Sequence, residues 1–118
     1  MAVQREQRQT PRIQPFVARC RYVSDEQRVP GFLTDLSERG GRIHAEAEPP
    51  PVGRTVAVEV RFGHQATHVR LSATVRWSRR AARGGYVFGV SFDGNGAEEQ
   101  QILHGVVEEF RRRAASIL

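Results

Sequence analysis

Two short polar stretches of the sequence place groups that bind anions and form directed hydrogen bonds at regular spacing. The first contains Arg8 and Arg12, four positions apart. The second, DLSERG at 35–40, contains a carboxylate, a hydroxyl and a glycine in Asp35, Ser37 and Gly40. A turn between strands requires only a glycine and one short polar side chain. The second stretch therefore has more polar groups than a turn needs.

These residue types fit the recognition of a guanine nucleotide. The guanidinium groups of Arg8 and Arg12 are planar forks that match phosphate oxygens or the Hoogsteen edge of guanine. The carboxylate of Asp35 accepts hydrogen bonds from guanine N1 and N2, and the Ser37 hydroxyl donates or accepts. Gly40 leaves the backbone open to the approach of a flat base.

Each stretch also has a purely structural interpretation. Arginines in a polar segment are usually solvated, and Asp35, Ser37 and Gly40 are common turn residues whose side chains hydrogen-bond nearby backbone groups. Taken alone, either stretch favours that interpretation. Their occurrence together in one small domain favours a binding site.

Enzymatic motifs are absent from the sequence. It contains no Walker loop, GxGxxG, HExxH or GxSxG sequence. Ser37 has no obvious activating histidine, and the carboxylates show no catalytic pairing. His64 and His68 are four apart but lack a third ligand, so no metal site is predicted. The sequence therefore predicts a binding protein and no enzyme.

Composition indicates one globular domain with a basic surface. The 118 residues are 39% apolar and 26% charged, and the net charge is +5. All 18 basic residues are arginine, which suits bidentate contacts to phosphate and guanine but also fits a general compositional bias. No apolar run is long enough for a transmembrane helix or a signal peptide. The single Cys20 fits a reducing compartment, so we expect a cytoplasmic protein.

Six segments alternate apolar and polar residues, which is typical of strands with one buried face. They are FVARCRYV at 16–23, FLTDLS at 32–37, GRIHAEA at 41–47, TVAVEVRF at 55–62, HVRLSATVRWS at 68–78 and YVFGVSF at 86–92. In the fifth segment the alternation places Trp77 on the same buried face as Val75. The stretch at 24–31 is interpreted as a turn or loop. The pattern predicts a six-stranded antiparallel β-barrel over 16–93.

The two ends of the chain differ from the barrel. Residues 1–15 are polar and contain two prolines, which predicts a flexible leader that carries the arginine pair. From residue 97 the apolar positions follow helical spacing; they are Ile102, Leu103, Val106, Val107, Phe110 and Ala114. We therefore expect a C-terminal α-helix over 97–116 that lies across the barrel. Arg111–Arg113 are expected in its last turn, where they suit the helix dipole.

Together these features resemble the PilZ domain, a receptor family for the bacterial second messenger cyclic di-GMP. The family pattern is RxxxR in an N-terminal leader followed by [D/N]xSxxG on a β-barrel, and the chain has RQTPR at 8–12 and DLSERG at 35–40. YVFGVSF also resembles the family's closing GVxF strand. The resemblance covers nearly the whole chain.

The resemblance implies a ligand and a role for each motif residue. Arg8 and Arg12 wrap the phosphates and guanines of cyclic di-GMP, Asp35 and Ser37 hold a guanine edge, and Gly40 shapes the turn. No other cofactor is implied. Many family members have a further arginine directly before RxxxR, where this chain has Gln7. That position is linked to binding of an intercalated ligand dimer, so the stoichiometry stays open.

Three functions follow as hypotheses. In the first, the chain is a cyclic di-GMP sensor that orders its leader on binding and signals to a separate protein partner or to a second copy of itself, as a monomer or weak homodimer. In the second, it is a PilZ-type adaptor that binds proteins and no nucleotide. In the third, it is a basic nucleic-acid-binding barrel, which its charge permits but its lack of exposed aromatic pairs disfavours.

Overall fold

The computed structural model describes residues 18–62 and 67–117 and contains six strands and one helix. The elements are β1 (Ala18–Ser24), β2 (Gln27–Leu36), β3 (Gly40–Ala45), β4 (Thr55–Phe62), β5 (Thr67–Arg80), β6 (Tyr86–Phe92) and α1 (Ala97–Ile117). The predicted mainly-β architecture with a C-terminal helix is confirmed. The leader at 1–15 and the first predicted barrel residues, 16 and 17, lie outside the described residues.

The strands form a closed barrel in the order β1-β2-β3-β6-β5-β4, and every neighbouring pair is antiparallel. The ring closes where β4 pairs with β1, with Cys20 opposite Val60 and Tyr22 opposite Val58. Closure leaves none of the six strands with a free edge, so the outer wall presents side chains instead of unpaired backbone groups.

A two-residue turn at Asp25 and Glu26 joins β1 to β2. Both residues have positive φ, 51° and 67° respectively, as the tight turns of two-residue hairpins require. β2 consequently begins at Gln27, and Pro30 lies within the strand opposite Arg21. The interpretation of 24–31 as a turn or loop was wrong in its extent, because a turn this short leaves most of that stretch to extend the hairpin.

The barrel interior is apolar. Its largest fully buried side chains include Tyr22, Leu33, Ile43, Leu71 and Phe88. Tyr22 and Phe88 meet edge to face, with ring centroids 5.1 Å apart. This core holds the strands in place, and the outward-facing positions are available for recognition.

The helix α1 covers the core as predicted. Leu103, Val106 and Val107 are buried within the barrel's hydrophobic cluster. Ile102, which the same spacing assigned to this stripe, is instead 39% exposed. The side chain of Asn95 fastens the start of the helix to β5, because it accepts a hydrogen bond from the Ser72 backbone N–H at 2.9 Å and donates one to the Ser72 carbonyl at 3.0 Å.

The C-terminal end of α1 differs from the prediction in one respect. The helix continues to Ile117, so its last turn contains no basic residue. The expectation that Arg111–Arg113 occupy the last turn was therefore wrong. Arg111 and Arg112 instead pair with Glu108 and Glu109 one turn earlier on the same helix. Within the described ranges, no helix is long and apolar enough to cross a membrane.

Candidate functional site

The DLSERG stretch forms the end of β2, a tight turn and the start of β3. The Ser37 N–H donates to the Gly40 carbonyl at 2.8 Å. The Ser37 Oγ accepts hydrogen bonds from the Arg39 and Gly40 N–H groups at 3.2 and 3.3 Å. These contacts give Ser37 the structural role of a turn-forming residue, and its side chain remains exposed at the surface.

Two glycines make the turn compact. A Cβ on Gly40 would lie 2.1 Å from the Val90 carbonyl oxygen of β6, and one on Gly41 would lie 2.9 Å from the Asp35 carbonyl oxygen. No other residue type fits at Gly40 without displacing backbone. The turn is thereby pressed onto β6, and the Phe92 N–H donates to the Arg39 carbonyl at 2.8 Å.

A β-bulge in β2 turns the Asp35 side chain outward. Leu33 pairs with Ile43 but Asp35 pairs with Arg42, so the register shifts between them. Leu33 is fully buried, and strict alternation would place Asp35 on that same buried face. The extra residue reverses the alternation, which leaves Asp35 exposed and puts Leu36 in the core.

The Asp35 carboxylate has unused hydrogen-bonding capacity. Its side chain is 65% exposed, and Oδ2 lies 3.6 Å from Nη2 of Arg42, an ion pair longer than a hydrogen bond. A carboxylate accepts several hydrogen bonds. Asp35 can therefore accept hydrogen bonds from the ring and exocyclic N–H groups of a base.

A second β-bulge, in β5, turns the Trp77 side chain outward, next to the β2–β3 turn. Val75 pairs with Val90 and Trp77 with Gly89, with a register shift between them. The indole lies against Gly89, where a Cβ would be 2.2 Å from Trp77 Nε1. Trp77 is 40% exposed, so the prediction that it lies on the buried face was wrong. The glycine in YVFGVSF was the available signal, because it makes room for a large ring above it.

The turn, the two bulges and β6 enclose a shallow groove of about 370 Å³. It is lined by Asp35, Ser37, Arg39, Gly40, Gly41, Arg42, Trp77, Val90 and Ser91. The structure thus brings together three of the predicted site residues, Asp35, Ser37 and Gly40. Sequence reasoning missed Arg39, Arg42 and Trp77, which add two positive charges and an aromatic face. The guanidinium of Arg79 lies 5.8 Å from the Trp77 ring centroid and supports the indole.

A polar network is formed around Ser91, which lines this groove. Arg76 Nε donates to Ser91 Oγ at 2.8 Å and its Nη2 to Asp93 Oδ2 at 3.2 Å. Ser91 Oγ donates to the same carboxylate oxygen at 2.7 Å. Hydrogen bonds from Ser91 and Thr74, together with the charge of Arg76, hold the pKa of Asp93 below its usual value. Asp93 is therefore ionised at neutral pH and fixes the end of β6 beside the turn.

The turn also contacts the C-terminal helix. Glu38 Oε2 and His104 Nδ1 are 2.9 Å apart. The hydrogen bond and the opposite charge lower the pKa of Glu38 and raise the pKa of His104. One residue of the DLSERG stretch is thus linked directly to α1.

Arg8 and Arg12 lie outside the described residues, but the barrel shows where their segment enters. β1 begins at Ala18 opposite Leu33, two residues before Asp35. The chain therefore enters the barrel beside the end of β2 that leads into the groove. Arg12 is six positions before Ala18 in the chain, a span of at most about 20 Å.

Within the described ranges, no group of three His, Cys, Asp or Glu side chains is positioned to hold an ion. His64 falls in the segment that is not described. Cys20 is buried in the core, and burial raises the pKa of its thiol to about 12.

The fold and the groove define a small closed β-barrel with an aromatic and polar recess beside the turn between its second and third strands. A family model, the PilZ domain, matches residues 6–109. The chain belongs to the PilZ domain family. The match includes both arginines of RxxxR and the whole DLSERG stretch.

Two solved structures share the fold. The PilZ domain of YcgR from Escherichia coli, determined with c-di-GMP, superposes with a TM-score of 0.68 at 18% identity, over 85% of this chain and 86% of that one. The Bacillus subtilis inhibitor of motility MotI/DgrA superposes with a TM-score of 0.67 at 15% identity. The match covers 85% of this chain but 47% of MotI, so the chain spans about half that protein's length. No curated protein sequence matches the chain.

Proposed function

We propose that the chain is a cyclic di-GMP sensor that signals to a separate protein and catalyses no reaction. The observation that carries the proposal is the convergence of Asp35 and Trp77 on one groove by two independent bulges. An acceptor for guanine N–H groups and a flat aromatic face are thereby brought together. Family membership and the c-di-GMP-bound relative support the choice of ligand.

The groove supplies half of the site in this proposal. Asp35 accepts from guanine N1 and N2, and Trp77 packs against the base. Arg39 and Arg42 contribute positive charge beside the phosphates. Ser37 and Gly40 hold the turn in shape, and the Ser37 hydroxyl itself donates to the Gly40 carbonyl at 3.4 Å.

The leader supplies the other half. Arg8 and Arg12 clamp the phosphates and guanines from the segment that enters beside Leu33. Fixing each leader residue costs about 1–2 kcal/mol of backbone entropy, so a multiply charged ligand is needed to hold the leader on the barrel. Ordering of the leader changes the surface that a partner meets, which is the proposed signal. The buried, unpaired Cys20 agrees with a cytoplasmic location.

Isothermal titration calorimetry of the full chain with cyclic di-GMP tests this function. We expect saturable binding with a stoichiometry of one or two, and no heat with GTP at the same concentration. A stoichiometry of two would show that Gln7 still permits an intercalated ligand dimer. Absence of binding up to millimolar ligand would contradict the sensor function and leave the protein-binding adaptor.

Limited trypsin digestion tests the ordering step separately. Cyclic di-GMP is expected to protect Arg5, Arg8 and Arg12 and to leave cleavage at Arg83 unchanged. Arg83 is the control because it lies in the turn between β5 and β6, whereas Arg28 lies within β2. Equal cleavage of the leader with and without saturating ligand would rule out ordering, even where calorimetry confirms binding.

A further inference from the structure

The outer wall of the barrel carries a second recess, away from the turn at 37–39. It has a volume of about 640 Å³ and lies over β1, β2 and the far end of β3. We call it the β1–β2 groove and define it by Arg19, Arg21, Pro30, Phe32 and Glu46, which line it together with residues of the neighbouring strands. Glu46 lies just beyond the end of β3 that is far from the turn at 37–39. The two grooves approach each other where the Phe32–His44 pair of this groove neighbours the Asp35–Arg42 pair of the other.

The β1–β2 groove exposes an aromatic side chain that does not contribute to the core. Phe32 is 48% exposed and lies in the strand register between Arg19 of β1 and His44 of β3. Its neighbours along the chain, Gly31 and Leu33, are buried and face the interior. An aromatic ring flanked by polar groups on a rigid wall is the composition of a protein-binding hot spot.

The charge around Phe32 is positive. Glu59 also lines the groove, but its two carboxylate oxygens are bound by Arg28 at 3.2 Å and Arg70 at 2.9 Å. In contrast, Arg19 and Arg21 form no ion pair within residues 18–62 and 67–117. Their guanidinium groups are thus available to bind carboxylates.

His44 also lines the groove. Burial, followed by the charges of Arg42 and Arg79, lowers the pKa of His44. The imidazole is therefore neutral at neutral pH, and it adds no charge of its own. Apart from Glu46 at the rim, the free charges that line the groove are those of arginines.

Other occupants fit this surface less well. The barrel is closed, so a partner cannot add a strand to β1 or β2. A second copy of the chain has a net charge of +5 and repels the first at long range. Residues 1–17 carry Arg5, Arg8 and Arg12 against Glu6 alone, so they are also basic. Single-stranded nucleic acid binds through successive stacked aromatics. Two aromatics line the groove, Phe32 and Tyr86, but the Arg80 guanidinium already lies over the Tyr86 ring, 5.6 Å from its centroid.

We propose that the β1–β2 groove binds an acidic protein segment, with an apolar side chain of the segment against Phe32 and its carboxylates on Arg19 and Arg21. The proposal identifies the chemistry of the partner and rests on the part of the proposed function in which the chain signals to a separate protein. It does not require cyclic di-GMP to bind, because no residue that lines the β1–β2 groove also lines the groove beside the turn at 37–39.

Site-specific photo-crosslinking in cells that produce the full chain tests the proposal. A photoreactive p-benzoylphenylalanine replaces Phe32 in one variant and Val52 in the control, because Val52 is an apolar loop residue that is 61% exposed. Mass spectrometry then identifies the crosslinked segment. We expect position 32, and not position 52, to crosslink to a protein segment with net negative charge and an apolar residue at the crosslink.

The identified segment, made as a synthetic peptide, is then titrated into the unmodified chain and into two charge-reversed variants. Arg19→Glu/Arg21→Glu is expected to weaken peptide binding about tenfold to a hundredfold. Arg111→Glu/Arg112→Glu makes the same charge change on α1 and is expected to leave peptide affinity within about twofold. Phe32→Ala should also weaken binding, since it removes the apolar contact.

Several results would overturn the proposal. They are equal crosslinking at positions 32 and 52, no crosslink at position 32, a basic or neutral segment, a crosslink to nucleic acid, or a crosslink to a second copy of this chain. Calorimetry with cyclic di-GMP on Arg19→Glu/Arg21→Glu distinguishes the peptide-binding proposal from the sensor function. Unchanged nucleotide affinity with lost peptide binding supports this groove, whereas failure of the unmodified chain to bind cyclic di-GMP contradicts only the sensor function.

Discussion

A short polar turn lies at each end of β2, and the two turns differ in what surrounds them. The β1–β2 turn contains Asp25 and Glu26 in the left-handed region, and Asp25 pairs with Arg54 at 3.1 Å. The β2–β3 turn contains an exposed Asp35, a hydrogen-bonded Ser37 and a glycine packed on β6. Both turns present acidic side chains to solvent. Only the second faces a groove with an aromatic wall, so its surroundings, more than its own composition, make it a candidate site.

The largest expected effect on cyclic di-GMP affinity comes from the leader arginines, which are proposed to act together with the β2–β3 turn and not with the β1–β2 turn. Arg8→Ala/Arg12→Ala removes two charge-assisted contacts worth about 1.5–3 kcal/mol each, so cyclic di-GMP affinity should fall by about two to four decades. Arg54→Ala, which removes the charged partner of the other turn, should leave the affinity unchanged. Calorimetry on both variants checks this, with circular dichroism to confirm folding. Parental affinity in the double variant would show that the leader is not the clamp.

Asp35 and Asp25 allow the same substitution to be compared in the two turns. Asp35→Ala should weaken cyclic di-GMP binding about tenfold to a hundredfold, because guanine donors lose a charged acceptor. Asp35→Asn should retain part of the affinity, since the family pattern accepts Asn there. Asp25→Ala should leave affinity alone and lower the melting temperature, because alanine at positive φ is strained. If Asp35→Ala changed only the melting temperature, Asp35 would have a structural role and no role in ligand binding.

The packing of the β2–β3 turn predicts a smaller, structural effect. Gly40→Ala should lower the free energy of unfolding by about 1–3 kcal/mol, because its Cβ meets a backbone carbonyl that cannot move aside. Gly105→Ala is the matched control. It lies in α1 with open space around its Cβ, so it should raise that free energy by about 0.5–1 kcal/mol. Urea denaturation measures both, and equal midpoints would contradict the close contact with Val90.

The smallest effect depends on pH and on the contact between the turn and α1. The raised pKa of His104 contributes stability that is present below the ordinary histidine value of 6.5 and is lost as pH rises through the raised pKa. The lowered pKa of Glu38 contributes stability that is present above the ordinary glutamate value of 4.5 and is lost as pH falls through the lowered pKa. The pair is therefore most stabilising between those two ordinary values.

Urea midpoints of the parent and of His104→Gln, measured from pH 4 to 9, check this expectation. The parent should be the more stable at pH 5.5, and the difference should shrink toward zero at pH 9. Glu38→Gln should remove the same increment. A difference that is constant across the pH range would mean that His104 acts by packing and not by its charge. Glu108 and Arg111 also act on His104, in opposite directions.

The regular parts of the fold were predictable because their physics is local. Alternation in TVAVEVRF reports one buried face, since Val56, Val58 and Val60 are all buried. Helical spacing at 103–107 reports the buried stripe of α1. In YVFGVSF the alternation was a poorer guide, because β6 is buried on both faces from Val87 to Val90. The turn at Asp35–Gly40 was predictable for a similar reason, since its residues are close in sequence. The order of the strands around the barrel does not follow from periodicity, because it depends on contacts between distant segments.

The groove was only partly predictable, because bulges break the rule used to find strands. Alternation assigns Asp35 to the face of Leu33 and Trp77 to the face of Val75, and in both cases the register shift reverses the assignment. A bulge depends on pairing with a neighbouring strand, which a single segment does not reveal. Arg42 was missed because it lies opposite Asp35 across two strands. The prediction for Arg8 and Arg12 stays a prediction.

The outward turn of Trp77 also gives the protein a built-in optical reporter. The chain has one tryptophan, and it lies in the groove against Gly89, partly open to solvent. All indole fluorescence therefore comes from the proposed base-binding surface, with no background from the core. Cyclic di-GMP that covers the ring should shift or quench this emission, whereas an acidic peptide on the β1–β2 groove should leave it unchanged. Occupancy of the two surfaces can be followed separately in one unlabelled sample.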